Sequence, residues 1–192
     1  IQPMVFSTVF FDIVGACNAR CPYCNTGKYK KGSSGIIKPE SYSKALSILV
    51  ETGLIDKHVS LLSLYCWGEP FLHPNLGEII NITNRLEIPY AFSTNASVVP
   101  AIDRSFVQGL KRITFSMSGF SQSSYERIHG FNFKEIISNV EEITRQCRKH
   151  GSIAEFVISY HTYQFNTGEI FHAEDFAKSL GIKLEPVNAI QN

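Results

Sequence analysis

The sequence predicts an α/β fold built around a parallel sheet or barrel, and two patterns carry that prediction. Short runs of β-branched and aromatic residues alternate with longer stretches of helical period from one end of the chain to the other. No composition break or long linker interrupts them, and the one biased tract is the short basic, glycine-rich "NTGKYKKGSSG". Residues 1–192 therefore read as a single domain.

Taken in order, "MVFSTVFFDIV" is a strand leading into a cysteine-bearing loop. "KPESYSKALSILVETG" is a helix, with Pro39 near its start, Ala45, Leu46, Leu49 and Val50 on one face, and Gly53 as its stop. "HVSLLSLYC" reads as a buried strand, and "HPNLGEIINITNRL" as a helix that starts at Pro74 and turns Leu76, Ile79, Ile80 and Thr83 inward. "IPYAFSTN" is the next strand and "PAIDRSFVQGL" a short helix. In the strand "KRITFSMSG", Ile113, Phe115 and Met117 alternate with Thr114, Ser116 and Ser118. "NFKEIISNVEEITRQCRKHG" is the longest helix, with Ile136, Val140, Ile143 and Cys147 on one stripe and Gly151 closing it. "IAEFVISYH", "HAEDFAKSLG" and "IKLEPVNA" complete the chain as strand, helix and strand. Six strands with five helical segments exceed one βαβ motif and fall short of an eight-stranded barrel. Ligands in such architectures gather beyond the carboxyl ends of the strands. The segments to inspect are therefore 17–24, "CWGEP", "STN", "SMSG" and "SYH".

Bulk properties narrow the function classes. With 44% hydrophobic and 12% aromatic residues, the chain can bury a substantial core. A net charge of +1 gives no electrostatic reason to expect nucleic acid or an anionic membrane as partner. No apolar run approaches the roughly 20 residues needed to cross a bilayer, and no signal peptide opens the sequence. The expected compartment is the cytoplasm. The first residue is Ile rather than Met, so a piece of a longer protein is expected.

Three of the five cysteines fall within eight positions, "CNARCPYC", as Cys17, Cys21 and Cys24. Clustered soft thiolates point to zinc or an iron–sulfur cluster in a reducing compartment rather than to a disulfide framework. A structural zinc site needs four protein ligands, and the nearest spare donors in sequence are Cys66 and His73. Three thiolates on a four-iron cluster leave one iron open to a small molecule.

The spacing CxxxCxxC after a first strand resembles the signature of the radical S-adenosylmethionine (radical SAM) superfamily. The resemblance covers about Val5 to Val187 and implies a partial (β/α)6 barrel, related to the TIM barrel. It implies a [4Fe–4S] cluster held by Cys17, Cys21 and Cys24, with S-adenosylmethionine on the open iron. Reductive cleavage would yield methionine and a 5′-deoxyadenosyl radical that abstracts hydrogen from substrate. "WGEP" resembles the family's Gly-Gly-Glu-Pro segment, with Trp67 replacing the first Gly, and implies that Gly68 and Glu69 receive the methionyl ammonium. "SMSG" resembles the segment that contacts the ribose and methionyl part, through Ser116 and Ser118. "STN" matches the polar end of the third strand, giving Ser93 and Asn95. Tyr23 matches the aromatic near the adenine, and Arg127 of "SYERIHG" the arginine that meets the methionyl carboxylate.

Within the superfamily, "WGEP" and "SGFSQSSYERIHG" look most similar to members with a C-terminal auxiliary-cluster region (SPASM or twitch type), which modify peptides or oxidise alcohols and sugars. The implied partners are a peptide or small-molecule substrate and an electron donor such as flavodoxin or ferredoxin. No cysteine follows Cys147, so either the auxiliary region was removed from a longer protein or this member lacks it, and because the sequence stops after the sixth strand, removal is the expectation. Outside the motifs, Cys147 reads as a core residue and Cys66 as a buried strand cysteine near the site. His161 and Tyr163 face substrate or cap the fifth strand, and Lys28, Lys30 and Lys31 form a solvated loop or meet a phosphate or leader peptide. Two competing readings are a zinc- or cluster-bearing binding module without catalysis and an electron-transfer protein.

Overall fold

Residues 4–29 and 33–189 are described by the structure, a computed structural model. Lys30 and Lys31 lie outside the described residues. Six strands, β1 (Thr8–Phe10), β2 (Leu61–Ser63), β3 (Tyr90–Thr94), β4 (Leu110–Ser116), β5 (Glu155–Thr162) and β6 (Lys183–Asn188), form one sheet in chain order. Every neighbouring pair is parallel, and β1 and β6 stay apart as open edges, giving a partial barrel.

Among the described residues, seven α-helices join the strands: α1 (Asn25–Tyr29), α2 (Pro39–Glu51), α3 (Leu76–Arg85), α4 (Arg104–Gln108), α5 (Gln122–Ile128), α6 (Phe133–Lys149) and α7 (Ile170–Leu180). The longest of them, α6, buries the stripe read from sequence, Ile136, Val140, Ile143 and Cys147, together with Thr144. Its first turn is satisfied by Asn132, whose side chain accepts from the N–H groups of Lys134 and Glu135. On α3 the inward set is Leu76, Ile79, Ile80, Ile82 and Thr83, and the Thr83 hydroxyl meets Tyr42 of α2 at 2.7 Å. The core between helices and sheet includes the aromatic trio Phe71, Phe92 and Phe106. Ile113, Phe115 and Met117 of the fourth strand segment are wholly inaccessible to solvent. Each such side chain contributes roughly 1.5–3 kcal/mol by leaving water.

Three sequence expectations change here. The first strand is three residues long rather than eleven, because after Phe10 the chain leaves the ladder and Asp12 turns to the loop beyond β2. The tract after Cys24, read as a loop, opens with the helical turn α1, joined to the cysteine loop by Lys28 N–H donating to the Cys24 carbonyl. The sequence pattern assigns no helix to α5, which is N-capped by Ser121, its side chain accepting from the Ser124 N–H, and buries Tyr125 and Ile128. Among the described residues, no helix is long and apolar enough to cross a membrane.

Candidate functional site

At the carboxyl end of the sheet the cysteine loop is clamped against the segment after β2. The Asp12 carboxylate accepts the backbone N–H groups of Cys66, Trp67 and Gly68 at 3.0–3.2 Å, which folds "CWG" around one anion. Gly68 then passes so close to the first strand segment that a Cβ would lie 1.5 Å from the Val14 carbonyl oxygen. The next N–H, of Glu69, donates to Ala16 at 2.9 Å, fixing the start of the cysteine loop. Trp67 is 58% exposed, so its replacement of the first glycine leaves this packing intact.

Glu69 is buried and ties three segments together. One carboxylate oxygen accepts from Phe71 N–H and the Thr94 hydroxyl, and the other from Asn95 N–H at 2.7 Å. Burial pushes its carboxyl pKa up to about 7, against the pull of the Asn95, Thr94 and Phe71 donors. Asn95 continues the chain of contacts: its Oδ1 accepts from Ser97 N–H, and its Nδ2 donates to Asn18 at 3.0 Å and towards the Cys17 sulfur at 3.6 Å. Burial, with smaller contributions from the Glu69 and Cys24 charges, holds the Cys17 thiol above its ordinary pKa despite hydrogen bonds from Ala19 and Asn95.

A second donor reaches the loop from the opposite side. His129, just past α5, is buried, with Nε2 accepting from Ser118 N–H at 3.2 Å and Nδ1 lying 3.4 Å from the Cys21 sulfur. Burial lowers its pKa to about 4, so the ring is neutral at pH 7. With Nε2 accepting, the proton is on Nδ1, and the ring donates to sulfur.

Between these walls opens a cavity of about 280 Å³, lined by Cys21, Cys24, Tyr23, Ser116, Ser118, His129, His161 and Tyr163 among others. The Ser118 hydroxyl lies 3.3 Å from His161 Nδ1, and Ser116 lies 3.3 Å from Ser93. Burial keeps His161 below the ordinary histidine pKa. Tyr23 stacks on Tyr163 at 5.7 Å, Tyr163 on Phe165 at 5.4 Å, and the Arg127 guanidinium covers Phe165 at 4.1 Å.

The structure thus gathers Cys21, Tyr23, Cys24, Ser116 and Ser118 around one cavity and hydrogen-bonds Ser93 and Asn95 into its surroundings. Gly68 and Glu69 stand behind the cysteine loop, outside the cavity lining, and Arg127 is exposed at the far end of the aromatic stack. Asp12, Thr94 and His129 escaped the sequence reading. The signals for the first two were a lone acid within "FFDIV" and a threonine between the two residues singled out in "STN"; His129 sits inside a motif read only for its arginine.

All five cysteines are thiols rather than disulfides. His73 is already committed through both ring nitrogens, to the Ile37 carbonyl and Asn75 N–H, and Cys66, expected as a buried strand residue, is exposed on the loop because β2 ends at Ser63. Among the described residues, no three His, Cys, Asp or Glu side chains converge on a single ion-sized point. The donor set of three thiols on one loop, two of them facing N–H donors, fits an iron–sulfur cluster and offers zinc no protein nitrogen from His73.

Comparison with known proteins agrees with this geometry. The PqqA peptide cyclase of Gluconobacter oxydans (strain 621H) is 24% identical over 124 residues, covering 62% of this chain and 32% of that protein. Streptococcus suis SuiB bound to S-adenosylmethionine has the same fold, with a TM-score of 0.74 at 14% identity over 99% of this chain and 42% of that one. Native anSMEcpe with bound AdoMet gives a TM-score of 0.70 at 17% identity, over 96% and 51% of the two chains. The chain therefore spans about a third to a half of each relative's length. The family model of the Radical SAM superfamily matches residues 12–164, from the acid that anchors the glycine loop to beyond the end of β5, and the chain belongs to that superfamily.

Proposed function

We propose that this chain is the core of an enzyme that binds a [4Fe–4S] cluster through Cys17, Cys21 and Cys24 and S-adenosylmethionine beside it, and that it acts on a peptide. The observation that carries the reading is the thiol loop itself: Cys21 and Cys24 line one cavity with His129, whose ring faces the Cys21 sulfur, while Asn95 donates towards Cys17 outside that lining. When bound, the cluster and S-adenosylmethionine supply one-electron reductive cleavage to a 5′-deoxyadenosyl radical, which takes a hydrogen atom from substrate.

The chain's own residues hold, orient and shield. Asp12 and Gly68 fix the "GEP" segment, and the buried Glu69 carboxyl ties that segment to the end of β3 through Phe71, Thr94 and Asn95. The hydroxyls of Ser116 and Ser118 offer polar contacts on the cavity wall, and the Tyr23–Tyr163 stack covers its rim with flat apolar surface. Arg127 is offered to a carboxylate only if the stack on Phe165 opens. A peptide substrate is supported by the relatives: a PqqA peptide cyclase, SuiB bound to precursor peptide SuiA, and anSMEcpe with bound AdoMet and Cp18Cys peptide. An electron donor of the flavodoxin or ferredoxin type, a reducing cytoplasmic setting and an auxiliary-cluster region beyond this core complete the proposal.

The test is binding at the open iron. After anaerobic reconstitution with iron and sulfide and reduction by dithionite, adding S-adenosylmethionine should alter the electron paramagnetic resonance of the reduced cluster. A cluster whose spectrum ignores S-adenosylmethionine, or tight zinc in place of iron, would overturn the proposal.

A further inference from the structure

We propose that His129 tunes the electron affinity of the cluster through an N–H···S hydrogen bond to Cys21, acting as a positioning residue rather than a catalytic one. This rests on the functional reading above.

Three observations carry it. The first is direction: Ser118 N–H occupies Nε2, so the remaining ring proton sits on Nδ1, 3.4 Å from the Cys21 sulfur. The second is rigidity. The His129 carbonyl accepts from Arg20 N–H at 3.0 Å, one residue before Cys21, so main chain and side chain of the histidine both engage the cysteine loop. The Tyr125 ring lies 4.6 Å from the imidazole and holds its plane. The third is burial: His129 is 4% exposed, and a dipole aimed at a thiolate there is weakly screened.

Reduction adds negative charge that spreads onto the ligating sulfurs. A donor aimed at one of them stabilises the reduced cluster more than the oxidised one and raises the potential. The Asn95 contact to Cys17 acts in the same sense but is longer, at 3.6 Å, and its amide is shared with Asn18. His129 is therefore the stronger lever. It lies 108 residues from the thiol it serves, so the fold rather than the cysteine motif supplies it.

The experiment is a redox titration of the reconstituted full chain, followed by electron paramagnetic resonance without S-adenosylmethionine, for the native protein, His129→Phe and His129→Gln. The phenylalanine variant should shift the one-electron equilibrium about tenfold towards the oxidised cluster, which is about 59 mV. Glutamine, which keeps an N–H for sulfur and an oxygen for Ser118, should restore most of that shift. A phenylalanine variant that loads a cluster and titrates at the native potential would overturn the inference. If that variant fails to fold, native protein labelled with 15N-histidine decides. The reduced cluster should show a nitrogen hyperfine coupling that His129→Gln removes, and absence of the coupling overturns the inference. A native chain that assembles no cluster would overturn the functional reading and this inference with it, whereas a native cluster indifferent to His129 would overturn this inference alone.

Discussion

Gly68 lies against the carbonyl of Val14 with no room for a side chain: a Cβ would sit 1.5 Å from that oxygen and 2.6 Å from its carbon. Backbone cannot yield as a flexible side chain would, so Gly68→Ala must push the glycine loop off the first strand segment. We expect a loss of about 3 kcal/mol in urea unfolding. Gly77, in helix α3 with open space around it, is the control, and Gly77→Ala should gain up to about 1 kcal/mol.

Glu69 predicts a stability change with pH of definite sign. Its folded pKa, about 7, lies above the ordinary carboxylate value of 4.5, so between those values the unfolded chain releases a proton that the folded chain keeps. The contribution is present below pH 4.5 and is lost as pH rises through 7, by at most about 3 kcal/mol. Glu69→Gln should flatten that slope in denaturation curves at pH 5, 6, 7 and 8. It should also be less stable throughout, because its amide nitrogen meets the Asn95 N–H where an oxygen now accepts.

The three cysteine classes separate by iron content. Cys147 is wholly buried on α6, with its thiol pushed up to about 12 by burial, and Cys66 is exposed on the Asp12 loop. After reconstitution, Cys147→Ala and Cys66→Ala should hold native iron and sulfide, and the former should lose about 1 kcal/mol of stability. Cys21→Ala should lose most of the iron. Equal loss in Cys66→Ala would place that thiol in the site.

Asp12 accepts three N–H groups, a pattern that suits a carboxylate and not an amide. Asp12→Asn turns an NH2 group towards one of those donors. We expect a cost of about 2 kcal/mol with an unchanged denaturant slope, and weaker binding of S-adenosylmethionine through the displaced Glu69 segment.

Local periodicity and local motifs made much of this legible in advance. The α6 stripe, the alternation of Ile113, Phe115 and Met117, and the thiol spacing are each written within a few neighbouring residues. What the sequence concealed depends on contacts that only the closed topology makes. Asp12 meets the glycine loop across 54–56 residues, and His129 meets Cys21 across 108. The apolar run after Phe10 mimics a longer strand because Ile13 and Val14 are buried in the core outside the sheet, Val14 in an isolated antiparallel bridge to Ile36. Arg127 was singled out by its motif, yet its position at the last turn of α5 sends it to the ring of Phe165.

On the proposed function, three thiols on one loop support cleavage of S-adenosylmethionine. The most direct measurement is 5′-deoxyadenosine formed under anaerobic, dithionite-reduced conditions by the reconstituted chain, beside the variant with Cys17, Cys21 and Cys24 all changed to alanine. We expect 5′-deoxyadenosine and methionine from the native chain and none from the variant. A native chain that carries a four-iron cluster and binds S-adenosylmethionine yet forms no 5′-deoxyadenosine would contradict it.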